Sequence, residues 1–239
     1  MPVMFLDQLL WMLPAFLLSL YAQFKVKAAY AKYSQIGTRS GLSGAEVAAR
    51  IVRDANLAIS NDPKSARGFA VGLEAVPGHL SDHYDPRDRT LRLSEGVYAG
   101  QSIAALGVAA HEVGHAIQHA RMYAPLMWRN AIVPMVGITS NLSWFLILGG
   151  FFFQAQFPFL LTLGIGLFSV AVAFTLITLP VEFDASRRAM RALADGGYLT
   201  QDELHGARKV LNAAALTYVA AACGAVLQLL YLIMAARRE

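Results

Sequence analysis

Apolar residues along this chain fall into four long runs, and polar stretches of two different lengths separate them. The runs cover roughly 3–24, 132–153, 157–180 and 213–236. Each is close to the ~20 residues that a helix needs to cross a bilayer core. The first run holds Asp7 and Pro14, and its basic neighbours Lys25, Lys27 and Lys32 follow it. A secretory signal has its charges in front, so this run is expected to remain as an anchor. The polar stretches carry other rhythms. SGAE at 43–46 is a capping box ahead of Ala45, Val47, Ala48, Ile51 and Val52 at partly helical spacing. Residues 79–84 and 90–93 read as a β-hairpin about an Asp85-Pro86-Arg87-Asp88 turn. Ser94 stands where it would cap a short helix, and 101–119 reads as a long Ala-rich helix. TQDE at 200–203 is a second capping box, leading toward the fourth run. Pro180 is expected to end the third span and open the next helix. The pattern predicts a mainly α, polytopic membrane protein with about four transmembrane helices and a small β-hairpin, forming one domain over 1–239.

Composition supports this. Of the 239 residues 56% are hydrophobic and 15% are charged, whereas soluble domains carry about 25% charged residues. Eighteen of the 20 Lys and Arg lie at 25–129 or 187–209. The positive-inside rule therefore expects 25–131 and 181–212 to be the cytoplasmic parts. Arg237 and Arg238 are the misfit, since four spans place them outside. The net charge of +4 punctuates apolar runs and forms no aromatic-lined patch, so nucleic acid is not an expected partner. The single cysteine, Cys223, excludes both an intrachain disulfide and a CxxC metal site.

Within the Ala-rich helix stands VAAHEVGHAIQHA, which puts His111, Glu112, His115 and His119 in an apolar segment. His111 and His115 are four apart and share a helical face, so two ring nitrogens can meet one ion. Glu112 points off that axis, where it can take a proton from a metal-bound water. Gly114 removes a side chain beside the metal and would let a substrate or partner strand approach. His119 lies two turns from His111, about 12 Å by helix rise; it is expected to bond a carbonyl or meet the membrane interface. A catalytic zinc site needs a third protein ligand. LPVEFDASRRAM at 179–190 offers Glu182 and Asp184. Glu182 is the expected ligand, and Asp184 reads as charge complementing a helix N-terminus.

HEVGHAIQHA together with LPVEFDASRRA resembles the neutral zinc metallopeptidase family of the YugP type. The likeness extends over nearly the whole chain, and more distantly to the HtpX and CAAX-protease group. It implies one Zn2+ per chain on His111, His115 and Glu182, with Glu112 as general base. Ser186 stands where the distant group has aspartate, so what orients the zinc histidine is open. Tyr218 is a candidate to stabilise the oxyanion, with His205 and His83 as rivals. The 90–93 strand is expected to bind an extended peptide along its edge, and Arg89 and Arg92 to line a solvated face. The expected enzyme sits in a bacterial inner membrane, with its site facing the cytoplasm. It would cleave membrane or unfolded proteins, alone, as a homo-oligomer or with a membrane partner. The rivals are a non-proteolytic zinc scaffold or regulator and a hydrolase of a non-peptide amide.

Overall fold

A computed structural model describes residues 2–237, with side chains from residue 7 onward. Arg238 lies outside the described residues. Two compact units emerge. One is built from the described parts of Met1–Gln23, Ala124–Pro180 and Leu216–Glu239, the other from Phe24–Tyr123 and Val181–Ala215.

The first unit is helical. It takes its residues from α1 (Pro2–Tyr33), α5 (Ala124–Phe152), α6 (Phe159–Asp195) and α7 (Gln201–Arg237). These four helices are long and apolar enough to cross a membrane. Their large side chains face outward: Phe145 is 74% exposed and Ile138 71%. Water would penalise such a surface, and lipid does not. Between α5 and α6 small residues permit close approach, as membrane helix pairs require. A Cβ on Gly150 would sit 2.6 Å from the Leu161 backbone nitrogen. Pro14, Pro134 and Pro180 all lie inside helices. The expectation that Pro180 ends a helix is therefore corrected: α6 runs through it. Long membrane helices absorb a proline because neighbouring groups can re-satisfy the freed backbone.

The second unit carries α2 (Gly44–Asp54), β1 (Ala58–Ile59), β2 (Ala70–Val76), β3 (His83–Asp85), β4 (Thr90–Ser94), α3 (Glu95–Tyr98) and α4 (Ile103–Ala120). Segments of α1, α6 and α7 complete it. Ser43 and Glu46 form a reciprocal capping box on α2. Val47, Ala48, Ile51 and Val52 then face inward, each at most 2% exposed. Ser102 caps α4 by accepting from the Ala105 N–H. Thr200 and Glu203 exchange hydrogen bonds at the start of α7.

The sheet runs β1-β2-β4-β3. Three sequence expectations change here. The hairpin exists, but its first strand covers only His83–Asp85, because Asp82 turns away to accept from the N–H and hydroxyl of Ser94. Ser94 thus precedes α3 with its hydroxyl spent on Asp82 and makes no side-chain cap. Second, β2 joins β4 in parallel, so β4 lies between two strands and β3 is the edge. Third, Arg89 and Arg92 are half-buried against neighbours and do not line an open face. Arg89 lies over the Phe69 ring at 4.8 Å. Arg92 pairs with Asp88, with Glu74 at 3.2 Å and with Asp85 at 3.5 Å.

Candidate metal centre

Helix α4 is a core helix. Thirteen of its 18 residues are buried, Glu112, His115 and Gln118 among them. Such burial is costly for polar groups unless each finds a partner. Partners for His115 and Gln118 come from α6. A Cβ on Gly114 would lie 2.6 Å from the Ala185 carbonyl oxygen. The glycine therefore admits the α6 backbone; the expected opening for a substrate is instead filled by a helix.

This crossing brings Glu182 to the histidines. Its Oε2 lies 3.2 Å from His111 Nε2 and 3.6 Å from His115 Nε2. The rings of His111 and His115 stand nearly perpendicular, 4.8 Å apart. Donor atoms from His111, His115 and Glu182 all fall within 4.8 Å of one another. Four donors at zinc bond lengths of about 2.0–2.1 Å in a tetrahedron are about 3.3–3.4 Å apart. The donor set, two imidazoles and one carboxylate, fits a zinc centre in chemistry, and the two distances to Glu182 lie near that span.

The other ring nitrogens are also engaged. Ser186 Oγ meets His111 Nδ1 at 3.1 Å, so the serine takes the position in which an aspartate was missed. His115 Nδ1 meets Gln118 Oε1 at 3.0 Å. Gln118 was not singled out from the sequence, and its one signal was a polar residue three positions after a histidine. Asp184 is not mere charge at a helix start: it accepts from Gln118 and, at 2.6 Å, from Arg188.

Glu112 is 8% exposed, follows His111 in the chain and is not one of the three donors. Burial pushes its carboxyl up to about 7 and Glu182 and Asp82 add to the rise; His111 and a backbone bond from Tyr84 oppose it. His119 is apart from the group. Its Nδ1 meets the Tyr84 hydroxyl at 2.8 Å, and Phe69 packs edge-on at 5.2 Å. The expected carbonyl partner is thus a phenol, and His119 ties α4 to the sheet edge. Tyr218 belongs to the helical unit and is 36% exposed. His83 is on β3, its Nδ1 2.8 Å from the Ser81 carbonyl, and His205 is exposed on α7.

A family model described as "putative neutral zinc metallopeptidase" matches residues 8–237. The chain belongs to this family. The zinc metallopeptidase chain is also 48% identical over 217 residues to a protein of Bacillus subtilis (strain 168) named "Putative membrane protease YugP", covering 91% of each. No solved structure matches it. Family and relative together with the four apolar helices make this a membrane protein of the zinc metallopeptidase class.

Proposed function

We propose that the chain is an endopeptidase holding one Zn2+ on His111, His115 and Glu182, with Glu112 as general base. The observation that supports this most is the convergence of two imidazole nitrogens and one carboxylate oxygen within 4.8 Å of one another, with both nitrogen–oxygen distances near the spacing of a tetrahedral site. When bound, zinc supplies a Lewis acid that polarises a carbonyl and acidifies water. Glu112 accepts a proton and returns it to the departing amine. A buried carboxyl next to His111 is placed for both halves of that transfer.

The substrate would lie along β3, which has a strand partner on one side only among the described residues. An extended peptide can add there as a further strand, its scissile bond led past Glu112 by the backbone of Tyr84. Tyr218 is proposed to stabilise the oxyanion, with His83 and His205 as alternatives. The clustering of basic residues supports a cytoplasmic face for 25–131 and 181–212, in a bacterial inner membrane. Membrane proteins and unfolded chains are the substrates that this placement and the relative's name favour.

Digestion of an unfolded protein by the detergent-purified chain tests the reading. Cleavage that a chelator abolishes and zinc restores is the expected result. A zinc-loaded chain that cleaves no protein would contradict it and favour a metal-holding regulator or an amide hydrolase.

A further inference from the structure

We infer that Gln118, Asp184 and Arg188 form a positioning relay that fixes His115 as a metal donor through Nε2. The inference rests on the zinc reading above and concerns how the site is held.

Gln118 is fully buried. Its amide offers two N–H donors on one side and a carbonyl acceptor on the other. Nε2 lies 2.8 Å from the Val181 carbonyl and 2.9 Å from Asp184 Oδ2. Both partners are acceptors, and Asp184 Oδ2 also receives the Arg188 Nε–H at 2.6 Å. Both amide hydrogens are therefore committed. Reversing the amide would set its oxygen against a carbonyl and a carboxylate at a fully buried position. The oxygen must face His115 Nδ1, at 3.0 Å, and an oxygen there can only accept. His115 Nδ1 thus carries a hydrogen, which leaves Nε2 as the ring nitrogen whose lone pair can reach a cation. That Nε2 faces Glu182 Oε2 across 3.6 Å, where a bound cation would take the place of any shared proton.

His111 is held differently. Its Nδ1 meets a hydroxyl, which can donate or accept and so does not choose a tautomer. The carboxylate absent beside His111 reappears one amide removed from His115, anchored by a guanidinium that also lies over the Tyr123 ring at 5.7 Å. Arg188 is 28% exposed at the outer end, so changing it spares the core.

The test is zinc affinity of the full chain in detergent, by chelator competition, with the Co2+ absorption spectrum as a second readout. Gln118→Leu should weaken zinc by about 10–100-fold and alter the Co2+ bands. Arg188→Leu should weaken it less, in the same direction, and Arg188→Lys should recover most of the loss. Native affinity and spectrum in folded Gln118→Leu and Arg188→Leu would overturn the relay alone. If Gln118→Leu does not fold, Arg188→Leu decides by the same criterion. A native chain that binds no zinc would overturn the metal centre and the relay with it.

Discussion

At Glu112 the burial that suits chemistry works against the fold. An ordinary glutamate titrates near 4.5, whereas burial carries this carboxyl up to about 7. Between those values the folded chain holds more protons than the unfolded one, so this group lowers stability as pH rises. Metal-free Glu112→Gln should therefore gain stability over the native chain at about pH 7.5, and the gap should close toward about pH 5. Thermal unfolding of both in chelator checks this, and a gap independent of pH contradicts it. The residues of HEVGH were legible because spacing alone puts His111 and His115 on one helical face. Glu182 was legible as a carboxylate just past an apolar run, 157–180, that holds no acidic residue. Gln118 was not, because a glutamine one turn past a histidine reads as solvent-facing until α6 covers it. Ser186 showed only as a departure from a related pattern, and its bond to His111 needed the fold.

Between elements the decisive contact is Gly114 against Ala185. A methyl group there has nowhere to go, since its neighbour is backbone. Gly114→Ala should push α6 off α4 and cost about 1–3 kcal/mol by overpacking. Because Glu182 travels with α6, zinc affinity should fall with stability. A variant that keeps native zinc affinity while losing stability would show that the crossing does not set the site. Both capping boxes and the helical course of 101–119 were legible, since local chemistry decides them. The β2 strand was not: Gly72 interrupts its apolar pattern, and its parallel partner β4 is remote in sequence. Missing β2 made β4 look like an edge and left Arg92 without the Glu74 opposite it.

At the scale of the whole chain, four apolar helices and the basic segments between them predict a sidedness. In a Cys223→Ser background, an impermeant thiol reagent on intact cells should label Gln156→Cys and leave Lys209→Cys unlabelled. The opposite pattern would invert the topology and move the site outside. The same apolar runs were plain in the sequence, since only lipid tolerates them. How far each helix continues past the lipid was not, because a proline such as Pro180 stops a helix in water and not within a packed bundle. The central claim joins these scales: a metal held by α4 and α6 beside a buried base cleaves peptide bonds at a membrane. The most direct measurement compares the native chain with Glu112→Gln for zinc content and for hydrolysis of an unfolded protein. Both should hold one zinc, and hydrolysis should fall by about 10²–10⁴-fold in the variant. Equal hydrolysis by the two, or zinc in both with hydrolysis in neither, would contradict the account.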